Sequence, residues 1–486
     1  MLAVLLAVAV VRTAWMSDDA FVTLRTLDNA LHGLGLRYNP AERVQAFTHP
    51  LWLGWIALPY ALTREPWLTT IAVGALTSAA ALALAVRRVA AGPGGAAVLL
   101  ALLVASKAWV DYATAGLENP LVWLLVAGFA AVLFQERPRL GALVLLAALV
   151  GLTRLDALVV VLPALALETV RAWRAGQRRA VLQAQVGWAP LAAWHVAALV
   201  YYGSTVPNTA WAKLGAGVPA LTLVVQSLHY FAWTARHDPV TLPAVAVGLG
   251  LGLARRDARV AALALGGALY LAYVARIGGD FMAGRFLTLP LWVAALIVAR
   301  TPLPPRLAGG IAAVALVASL ASPYAPLRAG PHYRRAPPEQ GVVDERGFYW
   351  TGTGVLVGRW RWRPNHLFAA QARVARAMAP LVEEKAVVGL YGFYAGPRVH
   401  VVDVMGLTDP LLARLPVPGA ERWRIGHFRR AVPEGYLQTL ASGHDALEDP
   451  EVRALYADVQ LATRGPLWTR ARWAAIGRLE ARALRR

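Results

Sequence analysis

Two adjacent carboxylates, Asp18 and Asp19, follow the first apolar run in the segment Ser17-Asp18-Asp19-Ala20-Phe21. A carboxylate can take a proton from a reacting hydroxyl, or stabilise the positive charge that develops as a bond to a leaving group breaks. It can also simply cap a helix, which stabilises by about 1 kcal/mol. Two acids side by side exceed what a cap needs. Neighbouring residues on a helix point in different directions, so one carboxylate is expected at the chemistry and the other as its orienter or cap. Residue types alone do not say which.

The elements that must position these acids follow from composition. The chain has 486 residues, of which 58% are hydrophobic and 16% charged. Soluble domains run at roughly 45–50% and about 25%, so most of this chain needs lipid as its solvent. Zero cysteines exclude disulfides, thiolate catalysis and cysteine-ligated metal. The net charge of +20 is spread without a basic, aromatic-interleaved stripe, and nucleic acid is set aside.

Apolar runs recur at about 1–16, 67–86, 95–110, 119–134, 139–153, 156–170, 181–202, 239–254, 258–275, 286–300 and 307–321. Several are shorter than the roughly 20 residues that a span requires. Residues 50–63 form another apolar run, with Trp52, Trp55 and Tyr60 suited to the headgroup zone. Treated as an interfacial helix rather than a span, it leaves every arginine-dense short loop on one side: Arg87-Arg88, Arg137 with Arg139, Arg171 to Arg179, Arg255 to Arg259, and Arg300 with Arg306. That side is the cytoplasm. The expectation is eleven spans, an uncleaved first span with its N-terminus inside, and a C-terminal segment outside. Asp18, Asp19, Asp28, Glu42, Glu65, Asp111, Glu118, Asp156, Asp238 and Asp280 then all lie on the outer side, a second asymmetry that the arginines did not force.

Residues 322–486 carry 24 Lys+Arg and 15 Asp+Glu in about half the length that holds 24 and 13 before them. The boundary is placed near Ser322. Domain 1–321 is the transmembrane part, with 17–66 as its first outer loop, and 322–486 is a soluble domain. Helix is expected over 371–382 and strands over 386–390 and 399–404, an α/β character. Gly352, Gly354 and Gly358 read as a turn-rich hairpin rather than a nucleotide fingerprint. The tract Trp360-Arg361-Trp362-Arg363 suits a carbohydrate, a lipid headgroup or a contact with the membrane.

Several ordered stretches carry a resemblance. Asp18-Asp19-Ala20-Phe21, Asn39-Pro40, Glu42-Arg43-Val44 and His49-Pro50-Leu51-Trp52 resemble the first outer loop of GT-C glycosyltransferases. So do Gly116-Leu117-Glu118-Asn119-Pro120, Thr153-Arg154-Leu155-Asp156, Pro207-Asn208-Thr209 and the run from Gly278 to Phe286. Asp403, Gly406 to Pro410, Arg424 and Gly426-His427 extend the likeness into the last segment. The set is most similar to actinobacterial cell-wall terminal arabinofuranosyltransferases and covers most of the chain. It departs in its short first span and in Leu155, where proline is expected.

The resemblance implies an enzyme of the bacterial plasma membrane, with its active site facing outside the cytoplasm. It would move a sugar, arabinofuranose by the likeness, from a polyprenyl-phosphate donor to a glycan or lipid-linked acceptor. Asp18 and Asp19 are the catalytic candidates. Arg285, then Lys213 and Arg276, would hold the leaving phosphate; glycines at 278, 279 and 284 permit close backbone approach. Both arginines could equally anchor helix ends among headgroups. Asn39, His49, Glu118, Asn208, Asp280, Asp409 and His427 are candidate substrate contacts. His49 also reads as a satisfied polar residue at a helix start, and Asp280 as an ion-pair partner or metal ligand. Arg154 and Asp156 suit a salt bridge as well as a substrate. No cofactor is required by this chemistry, with a divalent metal the one open addition. The competing class is a flippase or transporter for polyprenyl-linked glycans, which would place acids at mid-bilayer on broken helices in repeated halves. The acids cluster at one face instead, and no repeat is visible.

Overall fold

The computed structural model describes residues 1–214, 217–330, 332–357, 364–417 and 424–483. Among these, the chain is helix joined by turns, with a single two-stranded sheet. Its contacts gather into two compact units. One comprises Met1–Ser17, Gly54–Leu191 and Pro219–Arg363; the other comprises Asp18–Leu53, Ala192–Val218 and Pro364–Arg486. This division cuts across the composition step near Ser322. The acid-led first loop is built together with the end of the chain, whereas residues 322–363 are built onto the apolar helices.

The apolar unit is organised around the helix Thr288–Ala299, all twelve of whose residues are buried. A helix apolar on every side must sit inside others. Thr241–Leu253, Pro93–Ala105 and Ala258–Arg276 surround it, and Leu158–Arg174 packs on the last of these. Small residues set the spacing. A Cβ at Gly95 would stand 2.1 Å from the Ala299 carbonyl oxygen, one at Gly248 2.5 Å from the Ala294 Cβ, and one at Gly266 1.9 Å from the Val160 carbonyl oxygen. Close backbone approach through glycine is how helices associate where lipid removes the hydrophobic drive.

Two helices, Pro66–Arg88 and Ala258–Arg276, are long and apolar enough to cross a membrane unaided, and seven shorter apolar helices accompany them. The eleven expected spans therefore do not appear as eleven continuous helices. Run 95–110 breaks at Ser106, which is extended and whose hydroxyl accepts from Trp109 N to start the helix Lys107–Tyr112. Runs 139–153 and 156–170 are separated by extended backbone at Arg154. Outward faces remain apolar at Leu76, Val247 with Leu251, Leu265 with Leu269, and Val314 with Val317. Such faces suit lipid and not water.

In the second unit, strand β1 (Leu381–Lys385) pairs in parallel with β2 (Val399–Asp403), Leu381 opposite Val399 and Lys385 opposite Asp403. Strand β2 falls where the pattern places it. Strand β1 does not: the expected strand over 386–390 is the approach to a helix, Gly389–Ala395, and the expected helix over 371–382 is Leu367–Ala377. Glu383, Glu384 and Lys385 mask β1 as polar chain, while the two valines after them look like its core. Gly352 and Gly354 end the helix Glu345–Thr353 instead of forming a hairpin. Gly358 and the Trp360–Arg363 tract lie outside the described residues.

Candidate active site

Asp18 and Asp19 open the helix Asp18–Leu31, which buries Ala20, Phe21, Leu24 and Leu27. Phe21 meets Phe393 edge-on at 5.7 Å between ring centroids. That contact seats the helix against Gly389–Ala395 and decides the fate of the two acids. Asp18 is buried, and its carboxylate accepts hydrogen bonds from the amides of Gly389 (2.9 Å) and Leu390 (2.7 Å). No side chain is tolerated at the first of these, since a Cβ there would stand 1.8 Å from the Asp18 carbonyl oxygen. Burial, opposed by those amides and reinforced by the Asp19 charge, pushes the Asp18 carboxyl up to about 7.

Asp19 is only half-buried and faces basic groups. Burial holds the His427 imidazole below its usual range, the Arg424 and Lys213 charges push it the same way, and Asp19 pulls it up. Asp19, Lys213 and Arg424 are thus each within electrostatic reach of His427. Lys213 is exposed in the last turn of the helix Asn208–Leu214. Arg424 is exposed and bridges His427, whose amide donates to the Arg424 carbonyl at 2.8 Å. Arg424 is singled out in the sequence only as part of the resemblance; its effect on His427, shared with Asp19, is visible only in the fold.

Other candidates in this unit hold backbone. Asn39 donates from Nδ2 to the Val401 carbonyl (3.0 Å) and accepts from the Val401 amide at Oδ1 (3.1 Å), which fastens the first loop to β2. Asn208 Nδ2 reaches the carbonyls of Gly406 (2.8 Å), Leu407 (3.3 Å) and Asp409 (3.0 Å), and so places the helix that carries Lys213. Asp409 accepts from the amides of Leu411 and Leu412 and from the Tyr436 hydroxyl; burial and the Glu42 charge raise its carboxyl. His49 Nε2 lies 2.8 Å from Thr23 Oγ1, the satisfied polar residue that its position suggests.

The apolar unit holds a second charged group. Arg154 forks onto Asp156, with Nη2 at 2.6 Å and Nε at 3.1 Å, and reaches Glu118 at 3.2 Å. Arg285 shares Glu118 at 3.1 Å and has Asp280 at 4.0 Å. Glu118, Asp280 and Arg285 therefore come together, with Arg154 and Asp156, and the Arg285 guanidinium is already held by two carboxylates. The loop between Asp280 and Arg285 is fixed by Val343, which exchanges hydrogen bonds with Phe281 (2.8 Å) and Ala283 (3.0 Å). Gly279 and Gly284 have left-handed φ angles of 74° and 76° there, and a Cβ would meet Tyr230 at 2.7 Å in the first and Ala108 at 2.8 Å in the second. Arg276 is exposed at the last turn of its helix.

Sequence reasoning missed a third network. Lys107 pairs with Asp111 and with Asp344 (3.0 Å), and Arg346 pairs with Asp111 (2.8 Å), all four buried. Lys107 and Asp111 at helical spacing were a readable signal; Asp344 and Arg346 had none. Among the described residues, no group of three or more His, Cys, Asp or Glu side chains is placed to hold a metal ion.

Comparison with known proteins finds glycosyltransferases among the relatives of this chain. More particularly, it is similar to two terminal β-(1→2)-arabinofuranosyltransferases. It is 26% identical to that of Mycobacterium tuberculosis over 92% of this chain and 88% of the relative. It is 30% identical to that of Corynebacterium glutamicum over 59% of this chain and 48% of the relative. The resemblance read from the motifs is thereby borne out. Among solved structures, ArnT from Cupriavidus metallidurans, bound to undecaprenyl phosphate, aligns over 85% of this chain and 75% of its own with a TM-score of 0.42 and 15% identity. No protein-family model matches the chain.

Proposed function

We propose that this chain transfers a sugar, arabinofuranose by its relatives' names, from a polyprenyl-phosphate donor to a cell-envelope glycan on the outer side of the membrane. The observation that carries the reading is the split between the two acids: Asp18 is spent on the amides of Gly389 and Leu390, while Asp19, half-buried, acts on His427, as do the Lys213 and Arg424 charges.

In this reading Asp19 accepts the proton of the acceptor hydroxyl as its oxygen bonds to the anomeric carbon. The bond from that carbon to the phosphate oxygen breaks, and the electron pair leaves with the polyprenyl phosphate. Lys213 and Arg424 stabilise the phosphate as its charge grows. Asp18 fixes the start of the helix and so the direction of Asp19. Arg285 already has Glu118 at 3.1 Å and Asp280 at 4.0 Å and would contact a donor only by exchanging a carboxylate for the phosphate, so Lys213 and Arg424 rank ahead of it.

The test is transfer by the purified protein from a panel of polyprenyl-phosphate sugars to arabinan acceptors. Turnover with one donor, and its transfer to acceptor, is the expected result. Tight donor binding with no transfer across the panel would overturn the enzyme reading in favour of transport.

A further inference from the structure

Three arginines of the second unit gather on one tyrosine. Arg43 Nε and Arg472 Nη2 both donate to the Tyr201 carbonyl, at 3.0 and 3.2 Å. Arg37 Nε donates to the Tyr201 hydroxyl at 3.2 Å, and its guanidinium lies 6.0 Å from the ring centroid. The other bonds also go to neutral carbonyls. Arg472 reaches Ala462 (2.9 Å) and Leu467 (3.2 Å), Arg37 reaches Pro40 (2.8 Å), and Arg43 Nη2 reaches Gly465.

None of these partners carries charge. Among the described residues, no carboxylate pairs with Arg37, Arg43 or Arg472; Glu42, next in sequence to Arg43, is taken by Arg464 at 3.3 Å and His400 at 3.8 Å. Carbonyls satisfy N–H groups but do not neutralise three like charges, two of them on buried residues. Arg43 crowds the others: its guanidinium is disfavoured by burial and by Arg37, and that of Arg472 by burial and by Arg43. Arg43 Nη1 and Arg37 Nη2 take no part in the bonds above.

The arrangement is built rather than incidental. Gly35, with φ of 82°, leaves room for Tyr201, whose hydroxyl lies 2.5 Å from where a Cβ at Gly35 would stand. The chain that supplies Gly465, Leu467 and Arg472 also presents Trp468, 75% exposed. A naked tryptophan beside arginines is the residue pairing of the headgroup zone.

We propose that Arg37, Arg43 and Arg472, arranged around Tyr201, form a binding site for a phosphate group, made of residues other than those assigned to the donor. Arg37 and Arg43 supply N–H donors to the phosphate oxygens, and Arg472 supplies charge. The phosphate is a monoester or diester, and it comes either from a lipid headgroup or from solution.

The experiment uses the full chain. In one arm, inorganic phosphate is titrated into detergent-solubilised protein and the shift in unfolding temperature is followed. In the other, the protein is reconstituted in phosphatidylcholine nanodiscs with and without phosphatidylglycerol, and retained lipid is read by native mass spectrometry. Saturable binding in at least one arm is expected, weakened about tenfold by Arg37→Gln and unchanged by Arg453→Gln, at an exposed arginine outside both sites. Retention in the lipid arm alone assigns a headgroup; binding in both arms assigns a free phosphate group. Arg37 is half-exposed, so its variant keeps the fold, and Arg43→Gln serves as a second check. No saturable binding in either arm, or binding equal in wild type and both arginine variants, would overturn the site.

Discussion

The two charged regions that sequence reasoning singled out satisfy their carboxylates in opposite ways. In the apolar unit, Glu118, Asp156 and Asp280 meet Arg154 and Arg285 side chain to side chain. In the other unit, Asp18 is met by main-chain amides, while its neighbour Asp19 acts on His427 together with the Arg424 and Lys213 charges. The first arrangement uses charge to hold helices together where water is scarce. The second uses backbone to hold one acid still and present another. A buried ion-pair network resists change, whereas an acid among basic groups can exchange a proton and a ligand, and the proposed chemistry is assigned to the second region for that reason.

The sharpest way to break this contrast is to remove the arginine at the centre of the network. Arg154→Leu leaves Glu118 buried and Asp156 half-buried beside an apolar side chain and is expected to cost about 3–5 kcal/mol, read as a fall in unfolding temperature in detergent. A loss under 1 kcal/mol would mean that the acids are solvated and the contrast is false. Next in size is Gly389→Ala, whose Cβ would meet the Asp18 backbone. It is expected to cost about 1–3 kcal/mol and to reduce transfer as Asp18 is displaced, measured by unfolding and by initial rate.

How much of this was legible beforehand depended on chain distance. The acid pair, the Asn208 and Lys213 segment and the Glu118–Asp280–Arg285 set were readable from residue types and likeness. The division of labour between Asp18 and Asp19 was not, because the amides that decide it lie about 370 residues away. Asn39 and Asn208 read as substrate contacts because a polar side chain in a loop looks alike whether it faces solvent or Val401. The helices of the apolar unit were visible from their runs, and so was the interruption at Arg154 with its Asp156 partner, but the break at Ser106 depends on a hydroxyl cap inside an unbroken apolar run. Strand β1 was hidden because tertiary pairing with β2 outweighs the weak strand preference of Glu and Lys.

Smaller effects sharpen the same comparison. Lys213→Gln and Arg424→Gln are each expected to weaken transfer about tenfold, the loss of one charge-assisted contact to phosphate, with the change carried mainly by KM for the donor. Arg276→Gln, in an exposed helix end, is expected to change little, and an equal loss there would shift the phosphate toward the apolar unit. The smallest effect concerns pH. The Asp18 carboxyl in the folded chain sits at about 7, above its unfolded range. Its contribution to stability is therefore fully present below the unfolded value near pH 4 and is lost as pH rises through 7. Comparing unfolding temperatures from pH 4 to 8, wild type is expected to lose more than Asp18→Asn across that window; parallel curves would remove the raised value from the account.

The central claim is that Asp19 does the chemistry and Asp18 holds it in place. It is tested by single-turnover transfer from a polyprenyl-phosphate sugar with Asp19→Asn and Asp18→Asn in parallel, donor binding being measured in the same preparations. The expected result is a fall of about a hundredfold or more in the transfer step for Asp19→Asn with donor binding retained, and a smaller fall for Asp18→Asn accompanied by lower stability. Transfer that survives in Asp19→Asn, or a larger loss in a stably folded Asp18→Asn, would contradict the assignment.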